Sequence, residues 1–362
     1  MSRGSPAEEY RIPVGRATTI VDVAERAGVS KATVSRYLSG KSEVLSEATW
    51  KQIEDAVAAL NYRPSQIARS LKGGHTRLIG MVVADVTNPY SVAVLKGAED
   101  ECQRAGYMLA LCNSGGSPEK EQLLLAGLRA YRIEGLILNL AGPGGEKVPE
   151  AMPADLPVVL LDRHLPAGRF DFVGLDNIAA MGEATRHLVG NGYRDLMLLA
   201  EPLRGVSVRI ERGLGFREAV AAAGCSGEVC EVDLRQEGAM GAALARFMAG
   251  PDRGPRAVIA ASGLVTLRTV QAMQALGLRM PGDLAVVGFD ELEWSSLVGP
   301  GITTIAQPTY DIGIAVVRSL LARLATHNMT EPRSTIFTGR LVVRGSSAPA
   351  GAARHVRPAG EG

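Results

Sequence analysis

At 362 residues the chain exceeds the ordinary single-domain size, so two or three compact units are expected, each able to bury a core. The formal charge of +1 is unevenly spread: residues 1–74 carry 11 Lys/Arg against 8 Asp/Glu, or +3, and the remainder 28 against 30, or −2. No run of about 18 apolar residues occurs, and the N-terminus lacks an apolar signal core, which argues against membrane insertion and secretion. Four cysteines, at 102, 112, 225 and 230, show neither C-x-x-C spacing nor the density of a disulfide scaffold. They read as reduced packing residues of a cytoplasmic protein.

Residues 1–17 and 347–362 mix small residues, Pro and charge without period, and both are expected to be disordered tails. Between Thr18 and Leu60 the pattern is helical, with segments at Val21–Ala27, Lys31–Leu38 and Ser46–Leu60. Ser46 suits the N-cap of the last, whose Ile53, Ala56, Val57 and Leu60 form one apolar stripe. After Pro64, "SQIARSLKGGHT" is helical in composition, too short to be stable alone, and ended by Gly73-Gly74. It reads as a linker that folds conditionally.

From Arg77 apolar strands alternate with amphipathic helices in two series, about 77–176 and 177–303. Strands apolar on both faces and separated by helices mean parallel sheets covered on each side, so the fold class is α/β with two doubly wound lobes facing one cleft. The segment "ITTIAQP", a helix over 310–325 and a strand "TIFTGRLVVR" then return to complete one or both lobes. Ligands of such sheets bind at the carboxyl ends of the strands.

The stretch "IVDVAERAGVSKATVSRYL", residues 20–38, breaks its helical period at Gly28 and restarts at Lys31. A helix, a glycine corner and a second helix make a helix-turn-helix, with Val23, Ala24, Val29 and Val34 packing the pair. The second helix would enter the major groove: Lys31 and Ala32 face base edges, Arg36 lies one turn on, and Ser30, Thr33 and Ser35 can donate to phosphates.

With "LNYRPSQIARSLKGG" following in order, residues 18–80 resemble the lactose-repressor (LacI/GalR) family of bacterial transcriptional regulators, and the resemblance continues to about residue 346. It implies a head at 18–63, a hinge helix at 64–74 and a two-lobed effector-binding and dimerisation domain of the periplasmic-binding-protein type at 75–346. The N-lobe would comprise about 75–176 and 305–333, the C-lobe about 177–304 and 334–346. It implies that Thr19, Ser30, Thr33 and Ser35 contact the DNA backbone and that Lys31, Ala32 and Arg36 read bases. Ser65, Ala68, Arg69, Leu71 and Lys72 would lie in the minor groove as a hinge helix paired with its copy. Leu71 matches the family's wedge residue, and an apolar side chain in a basic, marginal helix suits that task. Where many members carry Asn just after the recognition helix, this chain has Ser39.

In the body, Asp290 ends the strand "LAVVGFD", where a carboxylate can accept from a pair of sugar hydroxyls. Arg163 and Arg212 match positions where the family places ligand contacts, and "TNPY" puts Asn88 and Tyr90 at the cleft mouth. Two or three arginines near one pocket, Arg209 being the possible third, favour a sugar acid or sugar phosphate over a neutral sugar. The family's common Asn-Asp pair after the strand "AVIAA" is replaced by Ser262-Gly263, with Ser262 kept as a candidate contact.

"AGPGGEK", residues 141–147, lacks phosphate-loop spacing and reads as a surface loop. The five histidines show no metal-ligand spacing, no nucleophile triad can be assembled from local signatures, and "VVADVTNPY" stands where a dinucleotide-binding fold needs G-x-G-x-x-G. The expectation is a regulator rather than an enzyme, without cofactor or metal. Its partners would be double-stranded operator DNA, a small polar effector and a second copy of the chain, the absence of a C-terminal heptad tail favouring a dimer. It would work in the bacterial cytoplasm, at the nucleoid when bound to DNA. A sugar-binding receptor without DNA function is the competing class, and it predicts a secretion signal and no basic head.

Overall fold

A computed structural model describes residues 18–38, 45–62, 75–142, 155–165, 169–326 and 331–350. The chain divides into two compact units at Thr76/Arg77.

The first unit holds three helices, α1 (Ile20–Arg26), α2 (Lys31–Leu38) and α3 (Glu47–Ala59). Each start is fixed by a short polar side chain satisfying an amide that has no intrahelical partner. Thr19 and Asp22 form a reciprocal capping box on α1, Ser30 accepts from the Thr33 amide at 3.1 Å, and Ser46 caps α3 through Thr49. Gly28, at φ +64°, turns the chain between α1 and α2 in a conformation that costs a side-chain-bearing residue energy. Val23, Ala24, Val34, Ile53, Ala56 and Tyr62 are the buried core, with Val29, Val57 and Leu60 packed at its edge.

The second unit carries two six-stranded sheets. The N-lobe sheet uses β1 (Leu78–Val83), β2 (Met108–Asn113), β3 (Gly135–Leu138), β4 (Val158–Leu161), β5 (Asp171–Leu175) and β11 (Ser334–Phe337) in the order β11-β5-β4-β3-β1-β2, all parallel. The C-lobe sheet uses β6 (Asp195–Ala200), β7 (Ser226–Glu231), β8 (Arg256–Ala260), β9 (Ala285–Phe289), β10 (Thr303–Ala306) and β12 (Arg340–Val342) in the order β12-β10-β9-β8-β6-β7, with only β12 antiparallel. Helices α4 (Pro89–Arg104), α5 (Pro118–Ala130) and α10 (Thr309–Thr326) cover the first sheet. Helices α6 (Asn177–Gly190), α7 (Ser207–Ala223), α8 (Ala239–Met248) and α9 (Gly263–Ala275) cover the second.

Strands such as β3, β4, β6 and β9 are buried at every position, as a sheet sandwiched between helices requires. Helices α4 and α10 cross in backbone contact: a Cβ on Gly97 would collide with the Tyr310 carbonyl, and one on Gly313 with that of Val94.

Three expectations are corrected. "TIFTGRLVVR" is not one strand: it splits around Gly339 into β11, which extends the N-lobe sheet, and β12, which extends the C-lobe sheet. The N-lobe's last segment therefore runs to Phe337 rather than 333, and the C-lobe keeps β10 through Ala306. Residues 347–350 belong to the fold: Ser347 is fully buried, Tyr193 Oη donates to the Ala348 carbonyl at 2.8 Å, and the Ala350 amide reaches the Asn191 carbonyl at 2.8 Å. An edge strand, β7, is present where the sequence reading had none. No helix among the described residues is long and apolar enough to cross a membrane.

Candidate functional site

In the first unit the capped helix α2 presents one face to solvent. Thr19, Ser30, Lys31, Ala32 and Arg36 are exposed, while Thr33 and Ser35 are half-buried. The Ser30 and Thr33 hydroxyls lie 2.8 Å apart, so capping and any phosphate contact share the same two oxygens. Tyr37 packs against Trp50 in a tilted pair, ring centroids 4.4 Å apart and planes at 56°, fixing α2 on α3. The arrangement offers two cations and a small residue on a rigid helix, with no acidic side chain in the first turn of α2. Ser65, Ala68, Arg69, Leu71 and Lys72, like Ser39 and most of the 141–147 loop, lie outside the described residues.

In the second unit, a cavity of about 60 Å³ lies between the lobes, lined by Asn88, Tyr90, Asp162, Arg163, Glu201, Arg209, Arg212, Ser262, Asp290 and Gln307, among others. All six predicted ligand contacts are thus brought together. Asn88, Tyr90 and Arg163 come from the N-lobe, Arg212, Ser262 and Asp290 from the C-lobe.

Two carboxylates stand at matching places, Asp162 after β4 and Asp290 after β9. Both are left-handed, at φ +63° and +70°, a turn that Asp tolerates and that aims each side chain along the sheet edge. Asp290 Oδ2 accepts from the Gly263 amide at 2.9 Å and Oδ1 from Gln307 Nε2 at 2.6 Å. Asp162 Oδ2 accepts from Asn139 Nδ2 at 3.2 Å. Burial pushes the Asp162 carboxyl up, against the pull of Arg212 and Arg163.

Arg212, 5% exposed, sits over Phe289 with its guanidinium carbon 3.7 Å from the ring centroid. Its Nε donates to Asn177 Oδ1 at 2.8 Å and its Nη1 to the Ala261 carbonyl at 2.6 Å. Arg163 Nη1 donates to the Leu140 carbonyl at 2.6 Å. Arg209, the possible third arginine, is held by Glu201 at 2.7 Å and by the Pro202 carbonyl. Its charge is neutralised locally, so two arginines rather than three remain for a ligand. Asn88 and Ser262 serve as N-caps of α4 and α9.

Three buried polar atoms here have no protein partner: Tyr90 Oη, Arg163 Nε and Gln307 Oε1. Burial, together with the Asp162 and Asp290 carboxylates, pushes the Tyr90 hydroxyl well up, so it stays a donor. The cleft therefore offers two unspent donors, Tyr90 Oη and Arg163 Nε, and one unspent acceptor, Gln307 Oε1, whose side chain is held by Asp290. That is the chemistry of a polyhydroxylated ligand carrying an acid group. Such buried orphans are rare unless something else satisfies them.

Asp162, Asn139, Asn177, Glu201 and Gln307 were missed from sequence. For Asp162 a signal existed: "VVLLD" at 158–162 repeats the texture of "VVGFD" at 286–290, an apolar strand closing on a carboxylate.

Residues 19–65 match the bacterial regulatory proteins of the lacI family, and residues 185–347 match a periplasmic binding protein-like domain. The chain is 44% identical over 333 residues to the HTH-type transcriptional regulator PtxS of Pseudomonas putida, covering 91% of this chain and 96% of that protein. It is 42% identical over 309 residues to the HTH-type transcriptional regulator KdgR of Bacillus subtilis, covering 85% and 91%. Among solved structures, the lac repressor dimer bound to operator and the anti-inducer ONPF matches with a TM-score of 0.79 at 26% identity, over 92% of this chain and 100% of that one. The complex of the transcriptional regulator CelR with cellobiose matches with a TM-score of 0.67 at 29% identity, over 91% and 99%.

Proposed function

The chain belongs to the lacI family of bacterial regulatory proteins, and from that premise we propose that it represses genes of sugar-acid metabolism under control of an acidic carbohydrate held between its lobes. The observation that carries the ligand class is the convergence of Arg163 and Arg212, from opposite lobes, on the cavity that also holds the three orphaned polar atoms. Guanidinium groups grip carboxylate or phosphate through paired N–H donors, while Asp162 and Asp290 accept from hydroxyls. A cavity of about 60 Å³ is small beside the several hundred usual for a small-molecule site, so the effector enters by separating the lobes.

Lys31, Ala32 and Arg36 read bases, while Thr19, Ser30, Thr33 and Ser35 hold phosphates. Ser65, Ala68, Arg69, Leu71 and Lys72 form the minor-groove hinge, with Leu71 as wedge. Two copies bind a palindromic operator, because twofold symmetry imposes matching half-sites. The effector changes the lobe angle and with it the spacing of the two hinges, and the protein acts in the cytoplasm, on the nucleoid. Moving the hinge from a 1:99 to a 99:1 ratio needs about 5.5 kcal/mol of differential binding, within reach of two charge-assisted contacts and several hydroxyl pairs.

Isothermal titration against D-gluconate, D-glucose 6-phosphate and D-glucose, paired with retardation of DNA from upstream of the chain's own gene, tests the reading. Tight binding of the neutral sugar alone rejects the acidic class. Failure to retard that DNA at low salt rejects an operator there.

A further inference from the structure

Glu211 stands on α7 one position before Arg212 and does not line the effector cavity. Its carboxylate nevertheless joins side chains from both lobes: Oε1 is 2.5 Å from His164 Nε2, and Oε2 accepts from Asn177 Nδ2 at 2.8 Å. We propose that Glu211 is a positioning residue of the cleft, setting Arg212 through Asn177 and tying that setting to lobe closure through His164. The proposal rests on reading the cavity as the effector site.

The first half follows from hydrogen-bond polarity. An ionised carboxylate only accepts, so Asn177, 2% exposed, must turn its NH2 toward Glu211. The same NH2 reaches the Leu175 carbonyl at 3.2 Å, which leaves Oδ1 facing Arg212 Nε at 2.8 Å. An amide turned the other way would set acceptor against acceptor at Glu211 and donor against donor at Arg212. With Nε on Asn177, Nη1 on the Ala261 carbonyl and the guanidinium carbon over the Phe289 ring, the guanidinium is fixed along one edge and keeps Nη2 for an oxyanion.

The second half crosses the cleft. His164 follows Arg163, and its own amide donates to Ser207 Oγ on α7 at 3.0 Å. The segment bearing Arg163 is thus tied twice to the helix bearing Arg212. One carboxylate sets both arginines relative to each other.

The groups facing the imidazole are the Glu211 carboxylate and, edge-on at 5.2 Å, the Phe172 ring, while Asp176 and Arg169 line the adjoining cavity. The hydrogen bond to Glu211 raises the His164 pKa above the ordinary imidazole value, against the opposing effect of burial. The charged latch is therefore complete below the ordinary imidazole range and is lost as pH rises through the raised value. Effector affinity follows the same direction.

The test uses the full-length chain with D-gluconate as probe, titrated at about pH 6 and about pH 8.5. Wild-type affinity falls about threefold or more with rising pH, the size of a partly exposed ion pair. In Glu211→Gln the profile is flat, because the carboxamide oxygen still accepts from Asn177 while the charge that holds imidazolium is gone. In Glu211→Leu affinity falls about tenfold or more at both pH values, since Asn177 is released. Histidine-resolved NMR, with the signal assigned by its loss in His164→Gln, shows the His164 titration moving down in Glu211→Gln. Exchange of the Arg212 Nε–H accelerates in Glu211→Leu.

An unmoved imidazole in Glu211→Gln, or wild-type affinity in Glu211→Leu, overturns the proposal. If wild type fails to bind D-gluconate, this ligand reading fails and the two NMR measurements decide the relay alone. Where Glu211→Leu yields no folded protein, Glu211→Gln carries the decision.

Discussion

Replacing Arg212 by Lys keeps the charge and removes the geometry, which makes it the sharpest probe of the cleft. The guanidinium spans Asn177 Oδ1 at 2.8 Å and the Ala261 carbonyl at 2.6 Å, with its carbon over the Phe289 ring. An ammonium group is a point donor and reaches one of those acceptors at most while still facing the ligand. One charge-assisted hydrogen bond to the effector is lost, worth about 1.5–3 kcal/mol, or roughly 10- to 150-fold in affinity. The abandoned buried acceptor costs the protein a further ~1–3 kcal/mol of stability and the lost ring contact ~0.5–2 kcal/mol, which together lower the melting temperature by roughly 3–8 °C. Titration calorimetry on the acidic and neutral sugars, with thermal melts of the same samples, reads both effects. The reasoning is refuted if the acid binds Arg212→Lys within twofold of wild type. It is equally refuted if the neutral sugar loses as much as the acid, because the arginine is then not reading the acid group.

Gly28→Ala destabilises the first unit by about 1–2 kcal/mol through backbone strain alone, since a Cβ there meets no atom within 4 Å; Trp50 fluorescence in a Trp294→Phe background follows the transition. Arg36→Ala weakens operator retardation by about 1–3 kcal/mol and relaxes sequence preference at one position of each half-site; a uniform loss across all sequences, with a shallower salt slope, would reassign Arg36 to the phosphates. Asp171 is 4% exposed and accepts from Arg323 at 2.6 and 2.9 Å, from Ser319 Oγ and from the Arg333 amide. Burial works to raise its pKa, but those donors outweigh it and hold the carboxyl below the usual range. Its stabilising effect is therefore present above the unfolded carboxylate pKa and lost as pH falls through the depressed value. Asp171→Asn accordingly costs about 3 kcal/mol at neutral pH, and denaturant melts show the gap from wild type narrowing below about pH 4.

The head was legible because its signals are local. Capping residues sit three positions from the amides they satisfy, as Thr19 and Asp22 or Ser30 and Thr33 do, and Gly28 marks the corner by itself. Most strands of the body were legible from apolar runs that water could not tolerate at every position. β7 was not: "SGEVCE" is a half-exposed sheet edge, and its residues carry no burial pattern to read. Asp290 could be found because it closes an apolar strand. Arg209, read from sequence only as a possible third arginine of the pocket, does line it, but Glu201 takes its charge.

Sequence alone determined the helices of the head and most helices and strands of the body, and that two parallel sheets would place polar residues at their carboxyl edges. Each of these depends on periodicity or on neighbours within one or two turns. Tertiary structure decided that β11 and β12, two residues apart, serve different sheets, and that Arg212 is set by Asn177 and Ala261, 35 and 49 positions away. Parallel pairing and hydrogen-bond polarity among buried side chains depend on which surfaces meet after the chain has crossed between lobes three times, and no local period carries that information.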